Sequence, residues 1–332
     1  MLALNAAAHF FVDAACAAAL LGSGAENLVP VLLLYNTMAF STQCLVGLLT
    51  DRTGRHVPVT AAACACVALG ALLPLPPYAR AAVVGLGNSF FHVCAGTVTL
   101  NASGGKAAPL GVFVAPGSIG VALGTLFPRL HWSFAAALLF CAAGLLWKGR
   151  EYRAEKAPAP AAAPKRGGLA AALLLMAVAA RAIGGSAVAF PWKTGAGLSL
   201  LTAFCVFAGK TAGGFVCDRA GAGKTALLSI PLSALLIAFC AGSMGLSLLG
   251  QFLLNLTMPV TLWLMYRCLP EEPGFAFGLA ASALWPGTLA GQMILAVGTA
   301  APMWLIVCFI FGLAAIIYAW YTLKGENHEE VC

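Results

Sequence analysis

The sequence predicts an all-α membrane protein in which twelve transmembrane helices form two pseudo-symmetric six-helix bundles. Three observations carry this. Of the 332 residues, 61% are hydrophobic and only 9% are charged. Apolar runs, punctuated by Gly, Pro and charge, recur twelve times along the chain. A motif in the first half returns in the second at an offset of 167 residues.

A soluble globular domain carries roughly 25% charged residues. A chain at 9% cannot clothe itself against water, so lipid must be the solvent for most of it. A helix needs about 20 apolar residues to cross the hydrocarbon core, so twelve use about 250 residues. No length is left for a soluble catalytic domain. The net charge of +7 would suggest nucleic acid in a soluble protein. Here basic residues gathered in cytoplasmic loops explain it, and no nucleic-acid partner is expected. The twelve cysteines are scattered singly, as at Cys16, Cys44, Cys94 and Cys141, and the closest pair, Cys64 and Cys66, lacks the CxxC spacing. They read as small core hydrophobes, and no disulfide framework, metal or other cofactor is expected.

Taken in order, the first span is 2–22. No Lys or Arg precedes it, and Asp13 spoils a lipoprotein-like Ala14-Ala15-Cys16, so it reads as a retained helix. The second, 28–49, closes at Asp51-Arg52; prolines at 74, 76 and 77 separate the third, 57–76, from the fourth, 80–101. Lys106 and Pro128-Arg129 bound the fifth, 107–127, and Lys148 ends the sixth, 131–148. The seventh, 169–190, follows Lys165-Arg166-Gly167-Gly168, and the eighth, 196–217, runs from Lys193 to Asp218. The ninth and tenth are 225–244 and 246–267, the eleventh, 274–297, follows Glu271-Glu272-Pro273, and the twelfth, 302–323, ends at Lys324. The expected organisation is an N-terminal bundle over 1–148, a cytoplasmic linker over 149–168, a C-terminal bundle over 169–325 and a cytoplasmic tail over 326–332. Prolines at 158, 160 and 164 make the linker extended and semi-rigid.

With the N-terminus inside, thirteen Lys and Arg fall in inner loops and three, Arg80, Arg129 and Lys193, in outer ones. That asymmetry places both termini in the cytoplasm, on the inner membrane. The repeat is Gly47-Leu-Leu-Thr-Asp51-Arg52-Thr-Gly54 against Gly214-Phe-Val-Cys-Asp218-Arg219-Ala-Gly221, and Pro116-Gly117-Ser118 is echoed by Pro286-Gly287-Thr288. Two parallel six-helix halves explain both.

On these residues the chain resembles the major facilitator superfamily of secondary transporters over essentially its whole length. The family's loop between helices two and three is similar to Gly47 through Asp51, Arg52, Gly54, Arg55 and His56, where His56 stands at a usually basic position. The second copy has Ala222 where Arg55 stood, so its latch is expected to be weaker. Within the superfamily the chain looks most like the fosmidomycin-resistance branch of drug exporters, through His9-Phe10-Phe11-Val12-Asp13, Asn88-Ser89-Phe90-Phe91-His92 and Ser103-Gly104-Gly105-Lys106. Val93 departs from that branch's usual Pro. The resemblance implies a proton-coupled antiporter that works by alternating access as a monomer.

Ionisable groups inside the membrane cost roughly 2.5–3.5 kcal/mol each, so their presence needs a reason. Asp13 lies near the middle of the first span and Arg181 near the middle of the seventh, at nearly equivalent repeat positions. They are expected to meet across a central cavity, either as an ion pair at the substrate site that breaks as the halves rock or as a static pair fixing helix packing. His9 shares a helix face with Asp13 and suits proton coupling, unless it simply meets water. His92 is a second proton group, a substrate donor or a bonded core histidine. Lys210 either snorkels to the cytoplasmic surface or faces the cavity. If inward, it makes the cavity +1 with Asp13 and Arg181, which favours an anionic or zwitterionic substrate such as an organic acid, a phosphonate or an amphiphilic drug.

Gln43, Asn88, Gln251, Asn255 and Gln292 are polar candidates, of which no more than two are expected on substrate; the rest would join helices. Phe10, Phe91, Trp263 and Trp285 are candidate wall aromatics. Asp51, Arg52 and Arg55, with Asp218 and Arg219 in the second copy, read as a conformational latch or as plain topology-setting charge. Pro116 and Pro286 are expected helix bends. Gly223-Lys224-Thr225 resembles a P-loop end, but Asp218 stands where the required Gly would be.

The leading reading is proton-coupled efflux of a small organic molecule. The alternative is an importer of a small organic anion. A membrane-embedded enzyme or sensor has no supporting motif: there is no HExxH and no nucleophile dyad.

Overall fold

The computed structural model describes residues 1–150, 164–298 and 302–329, and among these every regular element is helical. Six helices form the first half: α1 (Leu2–Leu21), α2 (Leu28–Thr53), α3 (His56–Leu72), α4 (Pro77–Asn101), α5 (Ala108–Leu126) and α6 (Pro128–Gly149). Six form the second: α7 (Gly167–Ser186), α8 (Gly195–Ala220), α9 (Ala222–Phe239), α10 (Met244–Cys268), α11 (Pro273–Val297) and α12 (Pro302–Glu329). Eleven are long and apolar enough to cross a membrane, and α3, with 17 residues, is the short one. The third span was expected to reach residue 76. It stops at Leu72 because Leu73 precedes Pro74 and is extended, at ψ 147°.

Three spans are interrupted. A π-helical turn over Thr37–Ser41 splits α2, which the sequence did not signal. Both prolines of the repeated Pro-Gly pair lie at breaks: Pro116 opens the outer part of α5 after Ala115, and α11 breaks at Ala283, three residues before Pro286. Without an N–H, Pro286 leaves the Ser282 carbonyl without its helical donor.

Each half packs on the same plan. Gly120 and Gly124 of α5 lie against the Phe10 and Ala14 carbonyls of α1, and 167 residues on, Gly287 and Gly291 of α11 lie against the Ala179 and Ile183 carbonyls of α7. Small residues let these backbones approach closely. The halves meet mainly through α2 against α11 and α5 against α8. Those contacts gather towards the end that carries the start of α1 and the Asp-Arg loops, here the motif end. The linker residues 151–163, with Arg153, Lys156, Pro158 and Pro160, and the last tail residues 330–332 lie outside the described residues. The tail begins as a helix, since α12 continues to Glu329.

Candidate functional site

A cavity of about 420 Å³ lies between the halves, walled by α1, α2, α4 and α5 on one side and α7, α8, α10 and α11 on the other. His9, Asp13, His92, Arg181, Lys210, Gln251 and Asn255 all line it. So does Gln43, which places three of the five polar candidates on the cavity wall. Gln292 does not reach it, and neither do Phe10, Phe91, Trp263 or Trp285. Phe40 and Phe277 are the wall aromatics instead. The first follows from the π turn in α2 and the second from how deep α11 enters, and neither is legible in spacing.

On the first-half wall, two i, i+4 pairs converge. His9 and Asp13 rise from α1 and Asn88 and His92 from α4. His9 Nε2 lies 3.3 Å from Asp13 Oδ2, His92 Nε2 lies 3.9 Å from Asp13 Oδ1, and Asn88 Nδ2 donates to Asp13 Oδ1 at 3.1 Å. The two imidazoles meet Nε2 to Nε2 at 2.9 Å. Their Nδ1 atoms point at carbonyl oxygens, His9 at Phe113 (2.7 Å) and His92 at Asn88 (3.0 Å). Gly117 makes room for this: a Cβ there would overlap Asp13 Oδ2 and His9 Nε2. The cluster also has donor types a divalent metal takes, with its ligand atoms within 4.8 Å of one another. The 2.9 Å between the two Nε2 atoms is a direct hydrogen-bond separation.

The second-half wall is cationic. Arg181 from α7 keeps a buried Nη1 with no hydrogen-bond partner among the described residues. Lys210 from α8 faces inward and, among the described residues, bonds only the Val114 carbonyl, at 3.4 Å. That carbonyl is free because the break at Pro116 turns the Ser118 N–H to Ala115 instead. The expected Asp13–Arg181 ion pair does not form. No carboxylate among the described residues comes within 4.0 Å of Arg181 or Lys210. Asp13 is already held by groups of its own half, and the cavity separates it from the cations.

At the motif end the repeated loops close the molecule. Asp51 accepts from the Gly274 and Phe275 N–H groups, both at 2.8 Å, at the start of α11. Asp218 accepts from Ala107 at 2.7 Å and Ala108 at 3.0 Å, at the start of α5. Each carboxylate caps a helix of the opposite half, where the helix dipole favours negative charge. The other motif positions follow from this docking. A Cβ on Gly47 would overlap the Gly274 carbonyl, and one on Gly214 would stand 2.7 Å from that of Ala107. Gly54 and Gly221 end their helices at φ +64° and +86°.

Arg52, Arg55 and Arg219 are exposed and, among the described residues, make no ion pair. The basic side chain that comes within reach of Asp51 is His56, with Nε2 4.0 Å from Oδ1. The second copy was expected to be weaker for want of its Arg, yet it makes the same two bonds, because the caps need only the carboxylate. Trp263 Nε1 adds a bond across this end to the Gly105 carbonyl at 2.7 Å.

The sequence matches no protein-family profile, and no curated protein matches it. The structure does match solved ones. A variant of the E. coli fucose:proton symporter FucP aligns at TM-score 0.68 and 13% identity, over 96% of this chain and 98% of that one. FucP, described as a major facilitator superfamily transporter and solved in the outward conformation, aligns at TM-score 0.70 and 12% identity over the same shares. The chain is therefore a multi-pass membrane protein with the major facilitator fold.

Proposed function

We propose that the protein is a secondary active transporter that carries a small organic anion by alternating access, coupled to protons. The observation that carries this reading is the cavity between the halves, in which Arg181 and Lys210 face open space with no carboxylate of the described residues within 4.0 Å. Two uncompensated cations in a low-dielectric site are costly unless a ligand supplies the missing charge. The apolar part of the wall, with Val178, Leu254 and Met258, suits a carbon skeleton, and Gln251 and Asn255 suit its polar groups. The His9–Asp13–His92 cluster is the proton site.

The motif end is cytoplasmic on the thirteen-to-three charge count, of which Arg153 and Lys156 lie outside the described residues. On that orientation the caps of Asp51 and Asp218 close the cytoplasmic side, and the conformation is outward-open. The protein works as a monomer in the inner membrane; Asp51 and Asp218 bias the outward state through these caps, and Arg52, Arg55 and Arg219 supply topology-setting charge. Direction has two readings. Likeness to fosmidomycin-resistance exporters at His9–Asp13 and Asn88–His92 supports efflux by exchange. The fold shared with a proton symporter supports uptake.

The test is flux in proteoliposomes. Purified protein is screened for thermal stabilisation by organic acids and alkylphosphonates, and hits are followed as labelled substrates under an imposed pH gradient. Gradient-driven movement that Asp13→Asn abolishes is the expected result. Movement indifferent to the gradient, or intact in Asp13→Asn, removes the proton-coupling role.

A further inference from the structure

We propose that His9 and His92 hold one proton jointly between their Nε2 atoms, with Asp13 as counterion, and that this proton and an anion at Arg181 and Lys210 bind together rather than in exchange. The first half stands on hydrogen-bond geometry; the second rests on the anion reading above.

A carbonyl oxygen can only accept a hydrogen bond. The Phe113 and Asn88 carbonyls therefore require a hydrogen on both Nδ1 atoms. Two neutral imidazoles have then spent their hydrogens, and bare lone pairs would face each other across 2.9 Å. One further proton between the Nε2 atoms turns that clash into a charge-assisted hydrogen bond. The pair then carries a single positive charge beside Asp13, whose Oδ2 lies 3.3 Å from His9 Nε2. A protonated Asp13 would not serve, since it can donate to one imidazole but leaves the other lone pair opposed. The titratable and charged groups that face the pair are Asp13 and Cys16 from α1, Tyr35 from α2 beside Cys16, Arg181 from α7 and Lys210 from α8. The segments of α5, Ala108–Leu126, carry no titratable side chain.

The sign of coupling follows from charge. With the proton in place the three side chains are neutral together, and Arg181 and Lys210 are free for an anion. Without it, the negative charge of Asp13 is uncompensated and competes with the anion for the same cations. Proton and anion therefore strengthen each other's binding, and linkage makes that reciprocal. In an alternating-access cycle this sign is cotransport.

The test uses full-length protein labelled with [15N]histidine in nanodiscs, titrated by NMR with His9 and His92 assigned. Both Nδ1 atoms should stay protonated throughout, and both Nε2 signals should move with one midpoint. Indicator dye should register uptake of one proton by the pair. Lys210→Gln or Arg181→Gln, each removing a cation as a bound anion would neutralise one, should raise that midpoint by roughly one pH unit. Two separate midpoints, uptake of two protons, or a transition metal retained through purification and removed by chelator would overturn the shared proton. A midpoint unmoved or lowered in both variants would overturn cotransport. If the midpoint behaves as expected but no organic acid or alkylphosphonate is transported, the transport reading fails and the proton pair stands.

Discussion

At the scale of single residues, the site is decided by which groups have partners and which do not. Arg181 has a buried, unbonded nitrogen and Lys210 a single long contact to a carbonyl. Arg181→Ala is therefore expected to weaken anionic ligands about tenfold or more while leaving neutral ones nearly unchanged, read by titration calorimetry with matched carboxylates and amides. Equal losses for both would assign Arg181 to packing. Gly117 makes a second expectation. Gly117→Ala places a methyl on Asp13 and His9, so it should cost about 1–3 kcal/mol of stability and displace the cluster. Unaltered melting together with unaltered flux would show that the site has slack the packing denies. Sequence spacing put His9 and Asp13 on one helix face, but it could not reveal that Asn88 and His92 of α4 converge on them.

At the scale of elements, the repeated loop is a pair of helix caps. The sequence expectation ranked the two copies by their arginines, whereas the contacts rank them equal, since each Asp accepts two backbone N–H groups of the opposite half. Asp51→Asn and Asp218→Asn should each remove about 0.3–2 kcal/mol of bias towards closure of the motif end. Hydrogen exchange is the direct readout: the Gly274 and Phe275 amides should exchange faster in the first variant, and those of Ala107 and Ala108 in the second. A large effect in one copy alone would restore the ranking by arginine. The breaks in α5 and α11 act at the same scale. The break at Ala115, where Ser118 N–H turns to the Ala115 carbonyl, leaves the Val114 carbonyl to Lys210, so a helix bend becomes part of the cavity wall.

For the whole molecule, closure is one-sided. The caps, the Trp263–Gly105 bond and the Ser282 hydroxyl, which accepts from the Cys44 N–H and donates to the Phe40 carbonyl, tie the halves from the motif end towards the cavity. Twelve crossings put both termini on one side. Green fluorescent protein fused at either end should fluoresce and alkaline phosphatase should stay inactive, as cytoplasmic reporters do. The opposite pattern at one end would remove the even number of crossings, and at both ends it would invert the proposed orientation.

Composition, hydropathy and the 167-residue repeat were enough for an all-helical, twice-repeated membrane bundle, because apolar runs long enough to cross lipid satisfy their backbone there as helices. The membrane's cost for charge also made Asp13, Arg181 and Lys210 conspicuous before any fold was known. What they bond to was settled only in three dimensions. Asp13 belongs with His9, Asn88 and His92 and not with Arg181, because α1, α4 and α5 close within one half while the cavity keeps the other half away. Which groups pair and which stay bare depends on helix rotation and depth, quantities set by packing between distant segments and carried by no local pattern.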